Sequence, residues 1–354
     1  MTWAKELSKS QDVYFILYNC SNKLTNFIKE NLEYTQVKNI KNFNELLNFV
    51  NDTMPDILIL DDDIRRLRWA SKLKKKTEIK TAVYVQILFG IHAIGDVFSN
   101  DYLTFKEKLL YTIPKIIPFD IVKRPYKKYL GEQDIIIANS NITATLLHIL
   151  YGIEPHGIVY PPVDTDIFTP KTEEKKNQVL LYLGSNAGGD TDEDVVTRVC
   201  EILRENNIEI LVMGNRVLKE RLQKKYRVTP PVSGVSDEKL AEIYSSCKLT
   251  ICPQKWEMFG YVIAESIACG TPVLAFNVMG PPQEIVLNGK TGWLTQNKEE
   301  FITFLNSILN DGDIKLDYKL IRDHSKQFSS RESTKRLLNI ISNRIGDKLW
   351  ENIL

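Results

Sequence analysis

The chain has 354 residues, of which 43% are hydrophobic and 26% charged, with a formal net charge of +1 at pH 7. This length is too great for one ordinary core and suits two domains of roughly 150 to 200 residues. The hydrophobic share excludes a disordered chain, and the near-zero net charge indicates neither an affinity for nucleic acid nor its absence.

The start of the chain, Met1–Lys9, lacks the basic-then-apolar order of a signal peptide. No apolar run approaches the ~20 residues that span a bilayer. None of the five cysteines belongs to a CxxC pair, so we expect reduced core residues in a cytoplasmic protein instead of disulfides or a zinc site. These cysteines are Cys20, Cys200, Cys247, Cys252 and Cys269.

Short apolar runs alternate with longer stretches of helical spacing almost throughout the chain. Apolar runs of this length are typical of strands that are covered on both faces, and their alternation with helices predicts doubly wound α/β layers. The predicted strands are 13–18, 56–60, 81–85 and 134–138 in the first half and 179–183, 208–212, 249–252 and 272–276 in the second.

A proline-rich segment at 159–170 interrupts this alternation, because proline continues neither a helix nor a central strand. The charge run that follows, Lys171–Lys176, is typical of a solvated linker. The final amphipathic stretch is long enough to cross back onto the first domain, where we expect it. The predicted parts are a first Rossmann-like domain at 1–163, a second at 164–329 and a C-terminal helix within 330–354.

The segment after the predicted strand 249–252 is the most informative part of the sequence. A loop containing Glu257 leads to a helix that we expect to begin near Gly260 and to contain Glu265. Glycine lets the backbone approach a ligand, and the free amides and positive dipole of a helix start attract phosphate. Ligands of α/β proteins bind at this position, beyond the carboxyl end of a parallel strand.

The E-x7-E pair of Glu257 and Glu265, within E-x-F-G and E-x-x-A-C-G-T-P-V, resembles the donor-site signature of family 4 of the retaining glycosyltransferases (glycosyl transferases group 1). The resemblance is strong from about 134 to 295 and weak before that. It implies a GT-B fold, in which two Rossmann-like domains face each other across a donor cleft. Further segments that agree in order and spacing are 138–141, 159–168, 235–240 and 280–294.

This resemblance implies transfer of a sugar from a nucleoside-diphosphate sugar to a hydroxyl acceptor, with retention at the anomeric carbon and no required metal or cofactor. Glu257 would face the transferred sugar as a catalytic residue. Glu265 would accept hydrogen bonds from the ribose, since two carboxylate oxygens can take the two donors of a diol. The other implied donor contacts are the backbone of Met258, Phe259 and Gly260, and Val235 near the base.

The loop that follows strand 179–183 departs from the family pattern. The family carries an Arg and a Lys there, which neutralise the donor diphosphate, whereas this chain has a glycine-rich turn and then acids, with no basic residue before Arg198. The turn can still present amides to phosphate. The turn residues are Gly184, Ser185 and Asn186, and the replacement cations left open by the sequence are Lys255, Arg216, Lys219 and a cation of the first domain. An inactive relative that binds sugar nucleotides or acts as a scaffold is the alternative function.

The first domain departs from the family as well. The family's glycine pair after the first strand is replaced by a polar segment without glycine, 18–23. The family's histidine near the sugar corresponds to either Gln86 or His92, and both assignments stay open here. Other enzymes of this architecture, a nucleotide-sugar epimerase or a phosphorylase, are disfavoured by the absence of an acid–base set and by the chain length.

A basic segment stands out in the first domain, with eight Lys and Arg residues and one acid between Arg65 and Lys80. Apolar residues recur every three positions from Ile64 to Leu73, which predicts an amphipathic helix over 64–80 that lies on an anionic membrane surface. With a second cluster at 123–128, it favours reversible contact with the cytoplasmic face of a membrane and a lipid-linked or surface-glycan acceptor. A solvated helix face is the alternative, and no recognised motif supports nucleic-acid binding.

Overall fold

The computed structural model describes residues 2–18, 20–32, 35–86, 88, 119–172, 174–184, 191–226, 228–229, 234–277, 280, 282–310 and 317–345. Parallel strands form the centre of both halves of the chain, and helices cover them. Within these residues, no helix is both long and apolar enough to cross a membrane.

In the first half, one pair of strands lies beside a four-stranded sheet, and every strand pair is parallel. The strands are β1 (Val13–Tyr18), β2 (Thr35–Ile40), β3 (Ile57–Asp61), β4 (Lys80–Val85), β5 (Ile135–Ala138) and β6 (Gly157–Ile158). The helices are α1 (Thr2–Leu7), α2 (Asn22–Asn31), α3 (Phe43–Thr53), α4 (Ile64–Lys74), α5 (Phe119–Gly131) and α6 (Asn141–Leu146), which continues into a π-helical turn at Leu147–Tyr151. β1 pairs with β2, and the larger sheet has the order β3-β4-β5-β6.

The second half is built on one five-stranded parallel sheet with the order β11-β10-β9-β7-β8. Its strands are β7 (Gln178–Tyr182), β8 (Glu209–Met213), β9 (Leu249–Cys252), β10 (Val273–Phe276) and β11 (Gly292–Thr295). Its helices are α7 (Glu193–Glu205), α8 (Arg216–Lys225), α9 (Asp237–Ser246), α10 (Tyr261–Ala268), α11 (Pro282–Ile285), α12 (Lys298–Asn310), α13 (Tyr318–Ser325), a 3-10 turn (Lys326–Phe328) and α14 (Ser330–Ile345). The predicted α/β architecture with parallel sheets is therefore confirmed.

Both faces of the second sheet are buried, as its continuous apolar strands predict. Leu180 packs into a core that contains residues of α9 and α10, whereas its neighbour Leu181 packs into a core that contains residues of α7 and α12. Burial of each such leucine contributes about 1.5–3 kcal/mol to stability. Three strands escaped prediction. β6 has two residues, β2 mixes polar and apolar residues, and β11 is a short strand after the Asn288–Gly292 turn.

The last helix, α14, packs against α1 and the first sheet. Leu337 and Ile341 share a core with Tyr84 of β4, and the indole Nε1 of Trp3 donates to Ser333 Oγ at 2.8 Å. Where the chain passes between its halves for the second time, Ser329 pairs with Val163 of the first passage. The domain limits 1–163, 164–329 and 330–354 remain a proposal.

Two predictions about charged segments are wrong. The basic helix does not extend over 64–80, because α4 ends at Lys74 and Lys80 already begins β4. The Lys171–Lys176 run is not a fully solvated linker. The ammonium group of Lys175 donates to the carbonyl oxygen of Ser245 at 2.7 Å and to Thr271 Oγ1 at 2.7 Å, and burial lowers the pKa of Lys175 to about 8.

Candidate functional site

The strand order of the second sheet reverses between β7 and β9. These two strands are neighbours in the sheet but do not follow each other in the chain. Ligands of such sheets bind at the carboxyl ends of the strands that flank this reversal. Gln254, just after β9, bridges the gap, since its Nε2 donates to the carbonyl oxygen of Tyr182 at 3.1 Å. Thr191, which precedes α7, pairs with the backbone of Gln254. The sheet therefore places the end of β7 beside the start of the Glu257 loop.

The loop after β9 ends at Gly260, which caps α10. Gly260 has a φ of +93°, a backbone conformation that residues other than glycine rarely adopt. No side chain caps the helix. Its carbonyl oxygen accepts the amides of Ile263 and Ala264, at 3.0 and 3.1 Å. The start of an eight-residue helix without a side-chain cap offers amide donors and the positive end of its dipole. The phosphate site that the sequence predicts at this helix start stays a prediction.

Glu257 lies in the middle of this loop and is half-buried. Its Oε1 accepts the amide of Met258 at 3.0 Å. Gly280 lies directly against the backbone of Glu257, so that a Cβ at position 280 would collide with the Glu257 carbonyl oxygen. These contacts fix the backbone of the loop and leave a small cavity beneath it. The cavity is lined by Tyr182, Cys252, Gln254, Glu257, Gly260, Val262, Ile263, Ala275 and Pro282.

Glu265 is half-buried on α10, and its Oε2 accepts a hydrogen bond from Tyr244 Oη at 3.1 Å. Burial raises the pKa of Glu265, the Tyr244 hydrogen bond opposes this, and the nearby carboxylate of Asp237 adds to the rise, so that the resulting pKa is about 8. A carboxyl group with such a pKa is half protonated near pH 8. The second oxygen of Glu265 has no hydrogen-bond partner among the described residues, so the group is set up to receive a donor.

The Glu257 loop also touches the first domain and the two segments that join the domains. Ser140 Oγ, at the start of α6, is 3.2 Å from the Met258 carbonyl oxygen. The Phe259 ring packs against Tyr160 and Phe328, with centroids 6.2 and 6.1 Å away. The site and the connection between the domains are therefore one packed unit.

Glu284, on α11, was not predicted as a functional residue, although it closes the 280–284 segment of the motif. Its carboxylate accepts the amide of Asn141 at 3.0 Å, the Asn141 side chain at 2.6 Å and the hydroxyl of Tyr160 at 3.0 Å. It also accepts the amide of Ile142 at 3.3 Å. A carboxylate of the second domain thus caps a helix of the first. Charge-assisted hydrogen bonds of this type are about twice as strong as neutral ones.

Three further predicted donor contacts lie near this strand edge. Lys255 is exposed and has no ion pair within the part of the chain that the structure describes. Arg216 begins α8 after β8 and pairs with Glu220 at 2.9 Å. Val235 is 40% exposed and precedes Ser236, whose side chain caps α9. Of these side chains, Lys255 is the one that shares the loop of Glu257.

The remaining predicted residues divide into two groups. Gly184 follows β7 and is buried. Gln86 follows β4 with an exposed side chain, and its amide donates to Asp62 Oδ1 at 3.2 Å. Ser185, Asn186 and His92 lie outside the described residues. Lys219, which the sequence left as another candidate cation, is buried on α8.

Two cations partly neutralise the three acids at the start of α7. Lys298 Nζ lies 3.1 Å from carboxylate oxygens of both Asp192 and Asp194. Glu193 pairs with Arg221 at 3.2 Å. The net field of this helix start is therefore much less negative than the sequence indicates. In the described residues, no group of three His, Cys, Asp or Glu side chains is arranged to hold a metal ion.

Two Rossmann-like domains, with a phosphate-suited strand edge in the second, define the GT-B class of fold, and solved structures agree. A glycosyltransferase from Rickettsia africae is similar with a TM-score of 0.71 at 16% identity, over 98% of this chain and 94% of that one. Anabaena HepE in complex with UDP is similar with a TM-score of 0.70 at 12% identity, over 97% and 95%. The predicted GT-B fold is confirmed.

Residues 164–327 match the family described as glycosyl transferases group 1, the family that the sequence motifs resemble. A D-inositol 3-phosphate glycosyltransferase of Acidothermus cellulolyticus is 26% identical over 265 residues, which cover 64% of this chain and 58% of the relative. Sulfoquinovosyl transferase SQD2 of Arabidopsis thaliana is 25% identical over 197 residues, which cover 50% and 38%. The chain spans about half the length of the curated relatives it matches.

Proposed function

We propose that the protein is a retaining glycosyltransferase that moves a sugar from a nucleoside-diphosphate sugar to a hydroxyl acceptor. The observation that carries this proposal is the β9–α10 unit, in which Glu257, the uncapped helix start at Gly260 and Glu265 follow one another along one strand edge. Their order matches the parts of a nucleotide sugar. A sugar at Glu257, phosphates at the helix start and a ribose at Glu265 fit one extended ligand.

The leaving diphosphate needs charge stabilisation, since its negative charge grows as the glycosidic bond breaks. The amides at the start of α10 supply part of this, and we assign the cation to Lys255, which is exposed on the same loop. Among the described residues, none in the site is placed as a strong base, and we propose that the acceptor hydroxyl loses its proton with help from the leaving phosphate. These sources of stabilisation require no divalent metal in the proposed reaction.

The relatives support a nucleotide-sugar donor and a polar acceptor. HepE has been solved with UDP and with UDP-glucose, and one relative is named for D-inositol 3-phosphate. A structural neighbour is a lipopolysaccharide outer core galactosyltransferase, with a TM-score of 0.61. For this chain, a glycan or a lipid-linked acceptor in glycan biosynthesis fits the same chemistry.

We also propose that the first domain contacts an anionic membrane surface. Helices α4 and α5 pack against each other, and both expose basic side chains next to Ile121, which is 53% exposed. Ion pairs with Asp63, Asp61, Asp134 and Asp120 neutralise part of this charge. Exposed cations that have no ion pair among the described residues are Arg68, Lys72, Lys75, Lys76, Arg124, Lys127 and Lys128. This surface suits a protein at the cytoplasmic face of a membrane.

Turnover of the donor tests the proposal. We expect the purified protein to hydrolyse one nucleoside-diphosphate sugar slowly without acceptor, at a rate that EDTA leaves unchanged. Glu257→Gln should lower this rate by about 100-fold or more while the thermal midpoint is kept, because the group faces the reacting sugar. Glu242→Gln, on the exposed face of α9, is the matched control and should retain the full rate. An unchanged rate in the Glu257 variant would remove the assignment of that residue.

A non-catalytic sugar-nucleotide-binding protein is the second candidate. It is favoured by the acids that follow the glycine-rich turn, where no basic residue precedes Arg198. Tight binding of a nucleotide sugar without any turnover, with or without acceptors, would support it.

A further inference from the structure

Tyr244 is a completely buried residue of α9 whose position is fixed from several sides. Its ring packs against Phe168 with centroids 6.3 Å apart, and its carbonyl oxygen accepts a hydrogen bond from Thr271 Oγ1 at 2.6 Å. A buried tyrosine hydroxyl needs a partner, and here the partner is Glu265 Oε2 at 3.1 Å. The hydroxyl is therefore presented to Glu265 by a rigid support.

The backbone under Glu265 is equally fixed. Ser266 Oγ, on the next residue, donates to Thr250 Oγ1 or to the Thr271 carbonyl oxygen, at 2.8 and 3.0 Å. The freedom that remains belongs to the Glu265 side chain, which has three rotatable bonds and loses rotamer entropy when a ligand orders it. A hydrogen bond from an immobile phenol selects one orientation before any ligand arrives.

We propose that Tyr244 is a positioning residue that holds the Glu265 carboxylate for the two hydroxyls of a ribonucleotide. The proposal rests on the proposed function, because it assumes that Glu265 receives the ribose of the donor. Tyr244 occupies one lone pair of Oε2, which leaves Oε1 and the other lone pair of Oε2 available to a ligand. Two adjacent hydroxyls then complete the set of acceptors, and a deoxyribose leaves one of them without a donor.

The test compares ribose recognition in matched tyrosine variants. Tyr244→Phe keeps the buried ring and removes only the hydroxyl. Tyr226→Phe is the control, because Tyr226 is also buried in the second domain and its hydroxyl lies 3.4 Å from a carboxylate oxygen of Glu201, a residue of α7. Calorimetry with a nucleoside diphosphate and its 2′-deoxy and 3′-deoxy forms measures the preference of each protein for ribose.

We expect the wild type and Y226F to prefer the ribonucleotide, and Y244F to bind it about fivefold to tenfold more weakly while its affinity for the deoxy forms changes little. The preference of Y244F for the ribonucleotide over the deoxy forms should therefore be smaller than that of the wild type. A loss of packing alone would not produce this change. Y244F with the full preference of the wild type would overturn the proposal. A wild type that binds no nucleoside diphosphate would instead overturn the proposed function.

Glu265→Gln supplies a second measurement, and the single variant does not depend on the folding of Y244F. The neutral amide should remove the ribose preference, and adding Y244F to it should cause no further change, because both substitutions act through one carboxylate. A ribose preference that survives in E265Q would contradict the inference.

Discussion

Each domain has a carboxyl group that accepts a hydrogen bond from a buried tyrosine. The two carboxyl groups differ in their other hydrogen-bond partners. In the first domain, buried Asp62 accepts hydrogen bonds from Tyr126 Oη at 3.0 Å and from the backbone amide of Gln86 at 3.2 Å. In the second, Tyr244 is the one hydrogen-bond partner of the Glu265 carboxylate among the described residues. The Asp62 carboxylate is satisfied by the protein itself, whereas that of Glu265 is only partly satisfied. This difference supports a structural role for Asp62 and the proposed ligand-binding role for Glu265.

Glu265→Gln should produce the largest effect on this comparison. Two hydrogen bonds from a ribose to a carboxylate are worth about 1.5–3 kcal/mol each, so nucleotide affinity should fall by about 100-fold or more. Without nucleotide, the variant should unfold at a higher temperature. The folded-state pKa of Glu265, about 8, exceeds its ordinary value, so above pH 4.5 folding is opposed by the cost of ionising this buried group or of keeping its proton. Calorimetry and thermal melts measure both effects, and weaker binding together with a lower melting temperature would indicate a purely structural role.

Asp62→Ala should act on stability alone. Removing this carboxylate leaves the Tyr126 hydroxyl and the Gln86 amide without one of their partners, at a cost of about 1–3 kcal/mol for each group that stays unsatisfied. Denaturant titration should show the loss, while the dissociation constant of the nucleotide should stay within about twofold of the wild type. A large loss of nucleotide affinity in this variant would end the distinction between the two carboxyl groups.

The pH dependence of nucleotide binding should be smaller but distinctive. In the proposed site the ionised form of Glu265 accepts both ribose hydroxyls, and a pKa of about 8 leaves about one-tenth of the groups ionised at pH 7. Affinity should therefore weaken about fivefold between pH 8 and pH 7 and level off above pH 9. In E265Q the affinity should not change over this range. A flat profile in the wild type would show that the ligand does not use this carboxylate.

The smallest expected effect concerns the basic surface of the first domain. Lys127→Gln should weaken binding to vesicles that contain anionic lipid by about fivefold, since each such cation near the surface is worth about 1 kcal/mol. Lys224→Gln on α8 of the second domain is the matched control. Equal binding by both variants, or no binding of the wild type, would leave α4 and α5 as a solvated helix face.

The sequence predicted the parts of the second domain that depend on local pattern. The strand ending at Cys252 and the helix beginning after Gly260 are local features, because apolar runs and a glycine cap are read within a few residues. Partners distant in the chain were not predicted. Tyr244 lies 21 positions from Glu265, and Asn141 lies 143 positions from Glu284, so only the fold brings them together.

The pairing of charged residues that lie far apart in the chain was not predicted from the sequence either. In the sequence, Asp192 and Asp194 were expected to repel a diphosphate. In the structure, both form ion pairs with Lys298, more than 100 positions later. Lys175 looked like part of a solvated linker, but its ammonium group is held by the ends of two helices. Charge that is counted along the chain does not show which charges are paired in space, and pairing decides the local field.

A calorimetric titration tests most directly whether the second domain contains a nucleotide-sugar site. The wild-type protein is titrated with nucleoside diphosphates and with nucleoside-diphosphate sugars in the presence of EDTA. We expect one nucleoside diphosphate and its nucleotide sugar to bind with a stoichiometry of about one and to compete for the same site. Absence of binding by every nucleoside diphosphate at millimolar concentration would contradict the proposed site.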